Sequence, residues 1–295
     1  MLIHEHEIKP TNDAAAKFLF TKQPGEKFAK AYTNAVLVDL KFDAITNFKI
    51  KSPVFSPASY DTRTSVFDVK GETFQKDQLN FEIQRNDHAG FPIRLISNNG
   101  LQFTRVKKSR KYKEYPNFIV IALLNFELNI EPEIDEYHDC FCNSSIVRSD
   151  RILSMQSQIH ILELPKWEKL HKQPITAKDL DGFTELDYFM CFFSDKTKYK
   201  ELKLMEANND IIKHARVGLE AFVGDPANIE AYEEAQEAER LRADRDSFVI
   251  DETMHRVAVK MIKNKINIEA IEDCTDFSRE EILKIKHKIE SKSRL

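Results

Sequence analysis

Glycine is scarce, with seven in 295 residues. So few leave little material for phosphate-cradling loops, and neither G-x-x-x-x-G-K-[ST] nor G-x-G-x-x-G occurs. P-loop and dinucleotide-binding chemistry is therefore excluded. Cysteine is also sparse: Cys140, Cys142, Cys191 and Cys274. One C-x-C pair with no second pair is not a zinc signature, and the four read as thiols of a reducing cytosol. His4 and His6, in the short acidic HEHE segment, read as tail rather than metal ligands. The N-terminus has neither the basic start nor the apolar core of a signal peptide. The longest apolar run, Phe118 to Leu124, is far too short to span a bilayer. A cytoplasmic protein without a membrane partner is expected. An excess of positive charge is missing too. Against 48 acidic residues stand 44 Lys and Arg, for a net charge of −4. A generally DNA-coating protein is thus excluded, and any nucleic-acid contact has to be a local patch.

What is present is a chain with 42% hydrophobic and 31% charged residues, enough for one main domain and a helical extension. Its most informative stretch is Asp61 to Arg85, DTRTSVFDVKGETFQKDQLNFEIQR. Alternation predicts two short strands, with Gly71 and the polar run Glu72 to Gln78 as their connection. Val66, Asp68 and Lys70 share one face of the first strand. Asn80, Glu82 and Gln84 share one face of the second, while Leu79, Phe81 and Ile83 form its apolar set. Paired, the strands bring two carboxylates and amine or amide groups onto one surface. Hard oxygen ligands of this kind suit Mg²⁺ or Mn²⁺, with Asp68, Glu82 and the Ile83 carbonyl as the candidate ligands. Such an ion activates water and offsets charge on a phosphodiester. Gln84, two residues past the glutamate, lies where it can orient that water. The same spacing also fits the solvated outer face of an ordinary hairpin.

Elsewhere, Thr11, Asn12 and Asp13 offer N-caps for a first helix that ends at Pro24-Gly25, and a second helix runs from Glu26 into Ala35. Val36 to Ile50 alternates and reads as one or two strands. A helix is expected from His88 to Lys107, with Phe91, Leu95, Ile96 and Leu101 as apolar positions. Arg105, Lys107, Lys108, Arg110 and Lys111 follow as the most basic stretch, able either to neutralise DNA phosphates or to stand as a solvated helix end. Tyr115 to Phe126 reads as a buried central strand, with further strands at Cys140 to Val147 and Ile152 to Leu164. From Thr176 the pattern is helical, including a Glu- and Ala-rich helix over Ala227 to Asp246 and a Ser278–Glu281 capping box near the end.

The ordered set of Asp68, then Glu82-Ile83-Gln84, with PTNDAAAKFLF, DTRTSVFDVKG, YPNFIVIALLNFEL and IHILELPKW, resembles the PD-(D/E)XK nuclease superfamily. The likeness is to its branch of recombination-promoting nucleases and transposases, in which glutamine commonly replaces the superfamily lysine. It covers roughly residues 10 to 170 and, more weakly, the C-terminal third. Departures stand at Ala16, Thr62 and Asn98. The resemblance implies an α/β fold, a restriction-endonuclease-like mixed β-sheet core flanked by helices over residues 1–175, with an α-helical C-terminal region over 176–295. It also implies a metal-dependent DNA endonuclease. Asp68 and Glu82 would be its metal ligands, Gln84 its water-positioning group and Lys70 a partial substitute for the absent lysine charge. Asp13 and Asp61 are candidate additional acids, and Arg94, which matches a polar position of the family's helix, is a candidate DNA contact. DNA is the implied partner, with a second copy of the chain through the C-terminal helices as a further one. The alternative is a catalytically inactive nuclease fold that binds DNA or assembles.

Overall fold

A computed structural model describes residues 7–52, 69–87, 90–104, 106, 111–171, 174–275 and 277–292. The first helix, α1 (Asp13–Thr21), starts where the capping residues predict, with Asn12 Oδ1 accepting from the Ala14 and Ala15 amides. α2 (Glu26–Asp39) follows. It overturns the expected strand at Val36, because Tyr32, Thr33, Val36 and Leu37 keep helical spacing and are all buried. Over so short a stretch, strand alternation and the end of a buried helical stripe give the same apolar pattern. Only β1 (Lys49–Ser52) remains of the expected strands there.

The sheet has six strands in the order β1-β2-β3-β4-β6-β5. Its other members are β2 (Val69–Glu72), β3 (Gln78–Gln84), β4 (Phe118–Leu124), β5 (His138–Ser144) and β6 (Ile152–Glu163). β3, β4 and β6 run parallel at the centre, and the outer pairings are antiparallel. β4 is buried at every position, since both of its faces are covered. On one face Leu79, Phe81, Ile119, Ile121, Leu123 and Leu162 meet a core rich in phenylalanine. On the other, Val120, Ala122, Leu124, Ile159 and Ile161 meet Phe91 and Leu95 of α3 (Phe91–Thr104). α3 departs from expectation in that Ile96 and Leu101 are exposed. Its buried stripe is Phe91, Leu95 and Asn99, so a polar residue closes the contact row.

Gly71 is a strand residue and not part of the connection, contrary to the sequence reading. It pairs with Leu79, and the β2–β3 pairing reaches Glu72 and Gln78. The requirement for glycine is steric: a Cβ there would lie 2.0 Å from the Phe48 ring. The turn itself is Thr73 to Asp77, closed by the Thr73 amide on the Asp77 carbonyl, with Lys76 at positive φ.

Further helices are α4 (Leu164–Leu170), α5 (Ala177–Leu180), α6 (Glu185–Phe193), α7 (Tyr199–Asn208), α8 (Asp210–Val223), α9 (Pro226–Lys263), α10 (Ile268–Thr275) and α11 (Arg279–Lys292). α9 continues past Asp246, where the sequence reading ended it. The chain divides by packing into residues 1–235 and 236–295. α6 and α8 lie in the first unit and supply Phe189, Phe192, Phe193, Leu219 and Phe222 to the sheet-face core, beside Phe20, Phe28 and Tyr32. The helical region from residue 176 thus shares its first part with the core of the α/β part. The second unit holds its own small cluster of Ala258, Ile271 and Ile282, with the Ser278–Glu281 capping box in place.

α8 approaches α1 through Gly218, where a Cβ would lie 2.4 Å from the Gln23 carbonyl oxygen. Backbone cannot swing aside as a side chain can. Gly218→Ala is therefore expected to destabilise the protein by about 1–3 kcal/mol through overpacking, despite the better helix propensity of alanine. Urea unfolding measures it, and an unchanged or higher midpoint would show that the two helices separate freely.

Candidate active site

The described part of the site stands on the α3-facing side of β3. Asn80 and Glu82 alternate there with Leu79 and Phe81, and both polar residues are buried, Glu82 at 2% exposure. A carboxylate placed so deep in a sheet needs charge-assisted partners. α3 provides them. Arg94 brings its guanidinium within 3.9 Å of Glu82 Oε2, and the Asn98 amide donates to Oε1 at 3.5 Å. The same guanidinium donates to Gln84 Oε1 at 2.6 Å, while Gln84 Nε2 donates to the Asn86 carbonyl at 2.9 Å. Arg94, expected as a DNA contact, thus sits inside the carboxylate–amide cluster and fixes which way the Gln84 amide points. Phe91 lies beneath it, 5.2 Å from ring centre to guanidinium.

Lys70 faces Asn80 across the β2–β3 ladder. Together with Asn99 and Gln102 they line a cavity of about 20 Å³, room for one water-sized guest. The Oδ1 atoms of Asn80 and Asn99 are buried there without a hydrogen-bond partner among the described residues. Ile83 turns its side chain to the opposite core.

Asp13 lies in the first turn of α1, 3.2 Å from Lys17. Arg85, next after Gln84, donates to Thr11 Oγ1 and pairs with Asp195 at 3.0 Å. This ties the start of α1 to the end of the site strand. Burial would raise the Asp195 carboxyl, but hydrogen bonds and charge from Arg85 and Lys9 hold it below its ordinary value. The sequence reading missed this link, since no periodicity connects residues 11, 85 and 195.

Asp61, Asp68, His88, Arg105, Lys107, Lys108 and Arg110 lie outside the described residues. Lys111 is exposed ahead of a short turn at Tyr112–Glu114. Among the described residues no three His, Cys, Asp or Glu gather around a common point that could hold a metal. The donors that do line this face are carboxylate and amide oxygens, the hard ligands a Mg²⁺-like ion prefers.

A second polar group, also missed, crosses the opposite side of the sheet. Asp39 Oδ2 meets His138 Nδ1 at 2.7 Å, His138 Nε2 meets His160 Nδ1 at 3.1 Å, and His160 Nε2 lies 3.7 Å from Cys140 Sγ. Burial, with the neighbouring His138, pushes the His160 imidazole down to about 3. Burial, aided by nearby Cys142 and Asp139, raises the Cys140 thiol to about 12. Both are neutral at physiological pH, so the cysteine is not an activated nucleophile. The alternation Gln158-x-His160 inside an apolar strand was the only sequence signal for it.

A mixed sheet with flanking helices, carrying a buried acid on a central strand, is the α/β architecture of the PD-(D/E)XK nucleases. A family model described as "PD-(D/E)XK nuclease family transposase" matches residues 10–250, and the chain belongs to that family. The ordered motifs of the N-terminal half had pointed to the same place. No curated protein and no solved structure matches the chain. Among the described residues no helix is long and apolar enough to cross a membrane.

Proposed function

We propose that the protein is a metal-dependent DNA endonuclease with its centre on the β2–β3 hairpin. The observation that carries this reading is the Glu82 carboxylate, buried in the sheet and held together with Gln84 by one guanidinium. Asp68 directly precedes Val69, whose cross-strand partner Phe81 adjoins Glu82. In this reading Asp68 and Glu82, with the Ile83 carbonyl, hold Mg²⁺ or Mn²⁺. The bound ion would supply an activated water and offset phosphodiester charge. Gln84, its amide oxygen held by Arg94 and one amide hydrogen by the Asn86 carbonyl, would orient that water through its second N–H. Lys70 adds positive charge beside the scissile phosphate, and Asp13 and Asp61 stand as further acids. Arg105, Lys107, Lys108, Arg110 and Lys111 contact DNA phosphates.

Supercoiled plasmid incubated with the purified protein should be nicked in Mg²⁺ but not in EDTA, and Asp68→Ala should abolish nicking while duplex binding persists. Cleavage at the wild-type rate by Asp68→Ala would remove that residue from the centre. Binding without any metal-dependent nicking by the wild type would favour the inactive DNA-binding alternative.

A further inference from the structure

β6 is longer than the sheet that carries it. Its partner β4 covers Ser157 to Glu163, while Ile152 to Gln156 pair with no β4 residue. On the other side Asn143 and Ser144 pair with Ser154 and Ile152. The two strands therefore project beyond β4 as a two-stranded ribbon. Its tip is built rather than loose. The Ser145 amide donates to the Arg151 carbonyl at 3.0 Å, and the Arg151 amide donates to the Arg148 carbonyl at 3.0 Å. The Val147 and Arg148 amides both donate to Ser145 Oγ.

This ordered tip displays what a soluble surface normally conceals. Ile146 is 105% exposed, Val147 91% and Leu153 87%. Isolated apolar residues on a surface mean little, but three on one projecting tip form a contact element. Between them stand Arg148 and Arg151, with Asp150 on Arg148 as the one acid of the tip. The acidic stretch Glu131 to Asp139 enters β5 at its other end, about 20 Å away at strand spacing. The ribbon is also anchored to the turn that follows Lys111: Gln156 Nε2 donates to the Tyr115 carbonyl at 2.9 Å. Lys111, Lys113 and the 84%-exposed Tyr112 stand just ahead of that point.

We propose that the β5–β6 ribbon is a nucleic-acid arm whose Ile146 and Val147 wedge against base steps of a duplex while Arg148 and Arg151 grip its groove and backbone. Aliphatic wedges flanked by arginine are the chemistry by which proteins unstack and bend DNA. A second protein would need an apolar partner surface. It would leave unexplained why the tip carries arginines and roots on a lysine- and tyrosine-bearing turn. The arm takes its partner class from the nuclease reading but does not depend on cleavage.

The test measures binding to a labelled duplex in EDTA, where no metal-dependent cutting occurs, for wild type, Ile146→Ser/Val147→Ser and Arg151→Ala. The tip is exposed, so thermal midpoints should match. The double variant should bind at least tenfold more weakly, and Arg151→Ala should lower the salt slope of log K by about one. Unchanged affinity and slope in both variants would overturn the arm, even if the wild type nicks plasmid. Loss of a dimer with monomer affinity unchanged would also overturn it, in favour of a contact between copies. Weakened binding in a protein that never cuts would support the arm and sink the nuclease reading instead.

Discussion

Glu82→Gln should lower metal-dependent plasmid cleavage at least about a hundredfold while the protein stays folded and still binds duplex in EDTA. Glutamine has nearly the volume of glutamate, so the sheet keeps its packing where alanine would leave a void. It still offers the Asn98 amide an acceptor, and Arg94 keeps its stronger contact to Gln84. What disappears is one negative charge, the quantity that draws a divalent ion to this face. The loss should therefore be in cleavage, and any thermal shift on adding Mg²⁺ should shrink with it. A variant that cuts at the wild-type rate would show that Glu82 is only a structural carboxylate of the α3 contact.

The second large effect is acid destabilisation through His160. Its imidazole, at 0% exposure, faces His138 and Cys140 on β5, with Asp39 of α2 beyond His138 and the Phe42 ring nearly perpendicular to it at 5.5 Å. In the fold it takes a proton only near pH 3, whereas in the unfolded chain it does so near 6.5. Between those values the unfolded state binds more protons. This contribution is therefore complete above about pH 6.5 and is lost as the pH falls. At about pH 5 the cost is about 2 kcal/mol, a large fraction of the about 5–15 kcal/mol that holds a typical domain folded. Denaturant unfolding from pH 7.5 to 5 measures it. His160→Gln should flatten the dependence by close to one proton, whatever the packing change does to stability at neutral pH. An equally steep dependence in that variant would assign the acid sensitivity to other groups.

The sequence revealed much of the fold for a physical reason. β4 is buried on both faces and needs an unbroken apolar run, and Asn12 caps α1 because the side-chain oxygen is the right length for the helix amides. The misreadings share a cause. Val36 to Asp39 can be strand or helix by alternation alone, and only burial against the aromatic core decides it. Gly71 looks like turn chemistry, but its need for glycine comes from Phe48, far from it in sequence. At the site, the Glu82–Gln84 spacing is local and was legible. Arg94, Arg85 and the His138–His160 chain act through tertiary contacts that no spacing encodes.

The closeness of α1 and α8 has a consequence for how this chain is made. Phe18 packs edge-on against Phe222, 5.3 Å between ring centres, and Gly218 lies on the Gln23 carbonyl. On a ribosome adding about 5–20 residues per second, the about two hundred residues between these partners take about 10–40 s to appear. Throughout that interval the apolar side of α1, and the aromatic core that α6 and α8 complete, wait uncovered. The nascent N-terminal half is thus a ready client for chaperones, and premature termination anywhere before α8 leaves a chain with an open core.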